Sequence, residues 1–402
     1  MKFRIELEEA VSIMEANVHK INEIDEVSIE KACGRVLGED VYSIINNPPF
    51  DRSPLDGYAL RAEDTIGASK ENPVILKVID EVFAGSYSEK ILQKGEAVRI
   101  MTGAKMPQGS DCVIRQENTD EGMEHVEIYE ELKIHDNYIF EGEDIKKDSL
   151  IMKKGEILTY IHIGILASMG YSKVKVKKRI KAALLVTGDE VSAPGKPLPE
   201  GKIYDSNMNL FSARLKELGV ELTRCEIIGD DYKTVGDAIK ESIKSCHIVI
   251  TTGGVSVGKK DILHEALPYI GAEMLYWKVN LKPGTPAIFS LYNDKPILSL
   301  SGNPFASLAT FELLGRPVLS KMSGNVEMNI IKTTGIMESN FNKKSKVRRF
   351  IRAYYNNGKV KLLDGKHSSG VLSSMIGCNA LIDIKAGTEK LETGNNVNII
   401  LI

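Results

Sequence analysis

The sequence predicts a multidomain chain of mixed class, with a parallel-sheet α/β domain, a separate β-rich domain and a β-rich C-terminal domain. The chain has 402 residues, and at roughly 100–200 residues per domain this length predicts two to four domains. Strand-like and helix-like segments alternate between residues 178 and 326. Short strand-like segments separated by turns prevail at 74–140 and 327–402 instead.

Composition excludes several classes of protein. Hydrophobic residues make up 43% and charged residues 27%, as in ordinary globular chains. The 52 Lys and Arg residues are balanced by 55 Asp and Glu residues, so the basic excess of a general nucleic-acid-binding protein is missing. No apolar segment has the pattern of a signal peptide or a transmembrane helix. Five cysteines without a CxxC motif predict reduced thiols and a cytoplasmic protein.

The N-terminal half is predicted in three parts. Residues 4–44 are expected to be rich in helix, because apolar residues from Ile5 to Met14 fall at helical spacing. Asn47-Pro48-Pro49 interrupts this pattern. Strands are expected at 74–79, 97–101, 111–114 and 126–128. The linker-like stretch 141–177 is expected to hold a short helix at 162–169 and a strand at 173–176.

The block 178–326 alternates strands and helices, which predicts a parallel sheet covered on both faces. Strands are expected at 183–186, 224–228, 247–251 and 296–300. Helices are expected at 210–218 before Gly219, at 233–245, at 260–267 before Pro268, and from Pro304 onwards.

The tail predicts a small barrel or sandwich. Residues 352–362 indicate a hairpin with an Asn357-Gly358 turn, and further strands are expected at 379–384 and 397–402. A basic run lies just before and within the hairpin, and a solvated strand face is the expected role of its members. These are Lys343, Lys344, Lys346, Arg348, Arg349 and Arg352.

Each predicted parallel strand ends in a polar, glycine-bearing loop, and ligands bind beyond the carboxyl ends of such strands. The loops are 187–190, 229–231, 252–258 and 301–304. They carry the carboxylates of Asp189, Glu190, Asp230, Asp231 and, just downstream, Asp261. Exposed backbone N–H groups favour an anion, and carboxylates beside a phosphate need a divalent cation such as Mg²⁺. The pattern therefore predicts a phosphate-bearing ligand with Mg²⁺, although each loop taken alone fits an ordinary strand-to-helix turn.

Other motifs are less informative. Gly253–Lys259 has the spacing of a P-loop, but Lys260 stands where Ser or Thr is needed, which excludes an ATPase of that type. The segments 48–59 and 99–104 have no function that their residues reveal. The basic turn 282–286 is either an oxyanion site or simply a turn.

Seven ordered segments carry a resemblance to a known family. They are PPFDRSPLDGYAL (48–60), RIMTGAKMPQGSDCVIRQE (99–117), TGDEV (187–191), GKIYDSNMNL (201–210), GGVSVGKKD (253–261), KPGTPA (282–287) and SGNPFAS (301–307). In this order they resemble the molybdopterin molybdenumtransferases, the bacterial homologues of the gephyrin E domain. The resemblance extends from about residue 5 to the C-terminus.

The resemblance implies an elongated homodimer whose chains each have four parts. The first combines 1–45 with 145–177, and the second is the β-rich insert 46–144. The third is the α/β molybdopterin-binding domain 178–326, and the fourth is the β-barrel-like domain 327–402. The active cleft would lie between the third part of one subunit and the second part of its partner. Contacts with the molybdopterin adenylyltransferase and with enzymes that receive the cofactor are also implied.

The implied reaction joins molybdate to adenylylated molybdopterin, requires Mg²⁺ and releases AMP. The catalytic residues implied by the matching motifs are Asp56, Thr102, Glu190, Asp230 and Asp261, of which Glu190, Asp230 and Asp261 are the expected Mg²⁺ ligands. The substrate-binding residues implied are Gly253, Gly254, Ser256, Gly258, Lys282, Pro283, Pro286, Gly302, Asn303 and Pro304.

Three positions depart from the family's usual motifs. Thr285 replaces a lysine, Ser301 replaces a proline, and Ala306 replaces a small hydroxyl residue. All three are expected near the oxyanion site, so a preference for tungstate stays open. The alternatives are a non-catalytic scaffold and a molybdopterin adenylyltransferase. The retained acidic residues argue against a scaffold, and the length of the chain argues against an adenylyltransferase alone.

Overall fold

The computed structural model describes residues 1–255, 262–364 and 368–402. The chain forms two compact units. The first unit comprises Met1–Asp25, Gly34–Val36 and Val176–Ile402, and the second comprises Glu26–Cys33 and Leu37–Lys175. Within the described residues, no helix is both long and apolar enough to span a membrane.

A seven-stranded sheet forms the centre of the first unit. In spatial order its strands are Lys2–Ile5, Glu273–Val279, Ala287–Tyr292, Lys295–Leu300, Ile248–Thr252, Lys181–Thr187 and Glu221–Ile228. The last four are the predicted strands, and their parallel arrangement is confirmed. Ala287–Tyr292 runs antiparallel to both of its neighbours, so the sheet is mixed. The prediction of a parallel sheet missed the strand Ala287–Tyr292 because antiparallel strands need only a short connection. The connection to the next strand is the two-residue turn Asn293-Asp294.

Helices cover both faces of this sheet, as predicted. Leu184 and Leu185 point to opposite faces and belong to separate hydrophobic clusters. The helices that pack on the Leu184 side are Leu7–Ala16, Asn207–Glu217, Pro304–Thr310 and Arg316–Ser323. Those on the Leu185 side are Tyr232–Ser245 and Leu263–Tyr269.

Two helix predictions were wrong in part. Pro268 lies inside the helix Leu263–Tyr269 rather than ending it. Residues 4–44 contain one α-helix, Leu7–Ala16, and are not rich in helix. The apolar helical spacing ends at Met14, and the alternating residues of Ile24–Ser28 form a strand instead.

The second unit contains a five-stranded sheet. Its spatial order is Cys112–Arg115, Gly57–Leu60, Glu96–Ile100, Val74–Val82 and His125–Ile128. Four of these strands were predicted, whereas Gly57–Leu60 was missed because it is buried along its whole length and shows no alternation. A Cβ at Gly57 would lie 1.8 Å from the carbonyl oxygen of Ile114, so only glycine fits there. Val41–Tyr42 pairs with Leu150–Met152, and the predicted short helix is Tyr160–Ser168.

The C-terminal strands form a closed barrel within the first unit. Its strands are Arg348–Asn356, Lys359–Leu362, Ile331–Met337, Asn396–Leu401 and Ala380–Ile384, and the last pairs back with the first. The hairpin with the Asn357-Gly358 turn is confirmed, with both turn residues at positive φ. Leu281–Lys282 pairs with Arg348-Arg349, which brings the basic turn 282–286 against the barrel.

We expect His247 to make the stability of this fold depend on pH. Its Nδ1 accepts a hydrogen bond from the backbone N–H of Lys181 at 2.8 Å, which requires an unprotonated Nδ1. Burial lowers the pKa of His247 most strongly, and the nearby charge of Lys295 lowers it further, while Glu23 opposes both.

We therefore expect the folded protein to lose stability as the pH falls below about 6.5, where the unfolded chain takes up a proton that folded His247 resists. His247→Asn keeps a side-chain acceptor but cannot titrate, so it should remove this part of the pH dependence. Thermal unfolding midpoints at pH 7.5 and 5.5 provide the measurement. Equal losses in the wild type and the variant would contradict the assignment.

Candidate active site

A cavity of about 1330 Å³ opens in the first unit at the carboxyl ends of the parallel strands. Four parts of the chain line it. The strand-end loops and the segment 203–207 form one wall, the turn 282–286 forms a second, and residues of the barrel form the third. The strand-end loops therefore meet at this edge of the sheet, where parallel α/β sheets usually bind ligands.

Most of the implied site residues lie in the wall of this cavity. They are Glu190, Asp230, Gly253, Gly254, Lys282, Pro283, Pro286, Gly302, Asn303 and Pro304. Ser256, Gly258 and Asp261 lie outside the described residues. Asp56 and Thr102 belong to the second unit.

Glycines allow the strand-end loops to pack closely. Gly253 has a φ of +96°, and a Cβ there would lie 2.4 Å from the carbonyl oxygen of Thr187. A Cβ at Gly302 would lie 3.5 Å from the Cα of Gly253. The side-chain amide of Asn207 donates to the carbonyl of Gly302 at 2.8 Å. This part of the wall is therefore largely backbone, which suits contact with phosphate oxygens.

The acidic side of the cavity is smaller than the sequence predicted. Glu190 and Asp230 line it, while Asp189 accepts a hydrogen bond from the backbone N–H of Asp230 at 2.9 Å and thereby holds that loop. Asp231 does not line it. Its Oδ1 accepts hydrogen bonds from the N–H and hydroxyl of Thr234, so it is the N-cap of the helix Tyr232–Ser245.

Asp205 is an additional carboxylate in the wall that the sequence analysis did not single out. It is 7% exposed, and burial raises its pKa although the N–H groups of Met208 and Asn207 oppose the rise. A shifted carboxyl group in a cavity is typical of functional sites. Asp205 lies in the segment GKIYDSNMNL, and this position in a matched segment was the signal from which the sequence could have identified it.

The basic side of the cavity shows that another prediction was wrong in part. The run 343–352 was expected to be a solvated strand face, but Lys343 and Arg349 line the cavity and Arg352 is fully buried. Arg348 binds Asp383 through two hydrogen bonds of 2.8 and 2.7 Å. Sequence reasoning failed here because it could not show that Lys282 pairs with Arg349 across two strands.

The three positions that depart from the family motifs all lie at this cavity. Thr285, Ser301 and Ala306 all line it. The hydroxyl of Thr285 donates to the carbonyl of Leu281 at 2.6 Å and closes the basic turn. The hydroxyl oxygen of Ser301 accepts from the backbone N–H of Asn303 at 3.3 Å. Both hydroxyl groups thus contribute to loop structure.

In the second unit the structure joins two motifs whose function the residues alone did not reveal. The Oδ1 atom of Asp56 accepts hydrogen bonds from the N–H and the hydroxyl of Thr102, both at 2.7 Å. These bonds lower the pKa of the exposed Asp56 carboxyl, so it is a fixed anion at neutral pH. The backbone N–H of Gln116 donates to the carbonyl of Asp56 and fixes the backbone as well.

The donor set in the cavity fits Mg²⁺. Glu190 and Asp230 supply carboxylate oxygens, and Mg²⁺ is usually held by one or two carboxylates together with substrate phosphates. Within 1–255, 262–364 and 368–402, no three His, Cys, Asp or Glu side chains form a metal cluster.

Three family models match the chain in order. The MoeA N-terminal region (domain I and II) matches residues 5–170, a probable molybdopterin binding domain matches 183–321, and the MoeA C-terminal region (domain IV) matches 334–402. A molybdopterin molybdenumtransferase of Staphylococcus aureus (strain COL) is 37% identical over 380 residues, which cover 93% of this chain and 90% of the relative. A protein of the same name from Staphylococcus epidermidis (strain ATCC 12228) is 36% identical over the same shares of the two chains.

Solved structures share the fold. The crystal structure of a molybdopterin biosynthesis MoeA protein from Pyrococcus horikosii has a TM-score of 0.86 and 32% identity, and it covers 99% of each chain. A molybdenum cofactor biosynthesis protein from Pyrococcus furiosus has a TM-score of 0.60 at 20% identity, with 99% of this chain and 100% of that chain covered. The likeness to the Pyrococcus furiosus structure shows only that the fold is shared.

Proposed function

Because the chain belongs to the molybdopterin molybdenumtransferase (MoeA) family, we propose that it joins molybdate to adenylylated molybdopterin and releases AMP. The observation that carries this proposal is the arrangement of charge in the cavity. Carboxylates of Glu190 and Asp230 occupy the strand-end wall, and the cations of Lys282, Arg349 and Lys343 occupy the other walls. The acidic wall suits a phosphoanhydride with its metal ion, and the basic walls suit a separate oxyanion. The reaction needs these two environments next to each other.

The basic wall suits the oxyanion. Molybdate is a tetrahedral dianion, and binding it requires cations or several N–H donors. Lys282 and Arg349 face one another in register between two paired strands, and both line the cavity. We propose that the guanidinium of Arg349, a residue of the cavity wall, binds the substrate oxyanion together with the ammonium group of Lys282.

The strand-end wall suits the phosphoanhydride. Gly253, Gly254 and Gly302 expose backbone close to the cavity, where a bulkier residue would clash in two of the three cases. Glu190 and Asp230 would hold Mg²⁺ there, and the bound ion would neutralise the anhydride and the charge developing on the phosphate of departing AMP. The protein residues then hold the pterin phosphate and the molybdate on adjacent walls, so that the reacting groups meet without diffusing.

The proposed homodimer is supported by an apolar helix on the second unit. The helix Tyr160–Ser168 is apolar on nearly every side, yet only Leu166 is buried. Tyr160 is 79% exposed and Ile161 56% exposed. Exposed apolar side chains concentrated on one element indicate a protein interface, and we propose a second copy of this chain as its occupant. The partner's Asp56–Thr102 pair would then complete the active site, as the family resemblance implies.

Ile161→Glu should separate the subunits, because it places a charge in an interface that excludes water. We expect light scattering to report about twice the 44.4 kDa chain mass for the wild type and the single mass for the variant. Ile376→Glu, at an 81% exposed position in the other unit, is the matched control and should remain dimeric. A wild type of single mass would rule out the dimer.

AMP release tests the proposed activity. Purified protein is incubated with adenylylated molybdopterin, Mg²⁺ and molybdate, and AMP is measured over time. We expect release above a protein-free blank only when Mg²⁺ and the oxyanion are both present. Parallel reactions with tungstate determine the preferred anion. No AMP above the blank with either anion would refute the proposed function and favour a scaffold.

A further inference from the structure

Glu312 is a buried carboxylate that no step of the proposed reaction uses. Its side chain is 1% exposed, and a buried charge is costly unless ion pairs and hydrogen bonds compensate it. Arg214 binds both of its oxygens, with Nε 2.8 Å from Oε1 and Nη2 3.0 Å from Oε2. Arg316 adds a third hydrogen bond, from its Nη1 to Oε2 at 3.1 Å. Two cations therefore hold the Glu312 carboxylate from two sides.

Arg316 fixes Glu312 to the C-terminal part of the chain. Its guanidinium also donates to three backbone carbonyls, those of Met328 at 2.9 Å, Asn329 at 2.6 Å and Leu401 at 3.0 Å. None of these bonds involves Arg214. Glu312 therefore keeps a well-anchored counter-charge when Arg214 is replaced.

The ion pair of Arg214 with Glu312 joins two segments that both begin at the cavity. Arg214 lies near the end of the helix Asn207–Glu217. Glu312 lies in the π-helical turn Phe311–Gly315, which continues the helix Pro304–Thr310. The first residue of each of these two helices lines the cavity. The ion pair thus connects the two segments at their far ends.

Two further contacts join the same segments between the ion pair and the cavity. The rings of Phe211 and Phe311 lie 5.3 Å apart, edge to face. The side-chain amide of Asn207 donates to the carbonyl of Gly302 at 2.8 Å. Asn207, Phe211 and Arg214 are separated by one helical turn each, which places them on one face of their helix. This face therefore contacts the second segment along its length, from the cavity to the ion pair.

We propose that Arg214 and Glu312 are positioning residues, which hold the starts of the two helices at the separation that the strand-end wall needs to bind the phosphoanhydride of the substrate. This inference rests on the proposed function for the identity of the ligand. Neither residue lines the cavity, so both act through the helices that carry them. A bidentate guanidinium–carboxylate pair fixes orientation as well as distance, and its loss leaves the two helices free to shift against one another.

The test compares Arg214→Met, Arg214→Lys and the control Glu217→Gln. Arg214→Met removes the link between the helices while Arg316 still pairs with Glu312. Glu217 is the exposed second partner of Arg214, 3.0 Å away, so its replacement leaves the link intact. Backbone amides of residues 305–310 should exchange about tenfold faster in Arg214→Met and at the wild-type rate in Glu217→Gln. Arg214→Lys keeps the charge without the planar fork and should lie between them.

Kinetics separate positioning from general destabilisation, because the two substrates use different walls of the cavity. In the AMP-release assay, Arg214→Met should raise the KM for adenylylated molybdopterin about tenfold, while the KM for molybdate stays within about twofold of the wild type. Arg214→Lys should restore part of the first KM. An equal rise of both KM values in Arg214→Met, or the same rise in Glu217→Gln, would overturn the proposal.

Hydrogen exchange decides the proposal independently of activity. If the wild type releases no AMP, the proposed function fails, and exchange at 305–310 still shows whether Arg214 holds the start of that helix. Wild-type exchange there in Arg214→Met would overturn the inference, as would an equal acceleration in the barrel strand Arg348–Asn356. If Arg214→Met does not fold, Arg214→Lys replaces it, and wild-type exchange together with a wild-type KM in that variant would contradict the proposal.

Discussion

Replacing Asp56 by asparagine should lower the rate of AMP release by about 100-fold without changing the melting temperature. The side chain is exposed, so the fold does not depend on its burial. Its Oδ1 accepts both hydrogen bonds from Thr102 at 2.7 Å, and asparagine keeps an oxygen in that position. The substitution therefore removes the negative charge and little else, and steady-state kinetics with a thermal melt measure its effect.

Thr102→Val is the matched variant for this pair. It removes the hydroxyl donor to Asp56 but keeps the backbone N–H donor, so the carboxylate remains charged and partly held. We expect a loss of about tenfold, smaller than that of Asp56→Asn. Wild-type turnover in Asp56→Asn would show that the charge has no role in the reaction.

The second large effect is expected at Gly284, in the basic turn. Its φ is +93°, and a Cβ there would lie 1.8 Å from the hydroxyl oxygen of Thr310 and 2.9 Å from the carbonyl oxygen of Ala306. Gly284→Ala must therefore push the turn away from the helix Pro304–Thr310. We expect a loss of about 3 kcal/mol in the free energy of unfolding, together with a higher KM for molybdate because Lys282 moves with the turn.

Gly271→Ala separates the clash from the effect of positive φ. Gly271 has a φ of +77°, and no atom lies within 4 Å of the place that a Cβ would take there. Alanine at this position should therefore cost only about 1 kcal/mol. Thermal unfolding of both variants and the molybdate KM provide the measurements. Equal losses of stability in the two variants would contradict the packing of Gly284 against Thr310.

Much of the fold was predictable because its strands are marked by local patterns. The four parallel strands each combine a short apolar run with a glycine-bearing loop, and the Asn357-Gly358 hairpin has an unambiguous turn. Ala287–Tyr292 was missed because its antiparallel pairing depends on residues outside the strand. Gly57–Leu60 was missed because a buried central strand lacks the alternation that identifies a half-exposed one.

The site was less predictable than the fold. Glycine loops at strand ends indicated the position of the cavity, since that follows from the topology of a parallel sheet. The contact of Asp56 with Thr102 joins residues 46 positions apart, which no local pattern encodes. Arg349 and Arg352 looked like members of an ordinary charged run. The place of Arg349 in the cavity wall and the burial of Arg352 become evident only when the barrel is folded against the turn 282–286.

The most direct test of the proposed reaction counts AMP and molybdenum together. Adenylylated molybdopterin, Mg²⁺ and molybdate are mixed with the protein, and the AMP released is compared with the molybdenum bound to the isolated pterin product. We predict one AMP for each molybdenum atom retained, and no AMP when molybdate is withheld. Release of AMP at the same rate without molybdate would show that the protein only hydrolyses the anhydride, and would contradict molybdenum transfer.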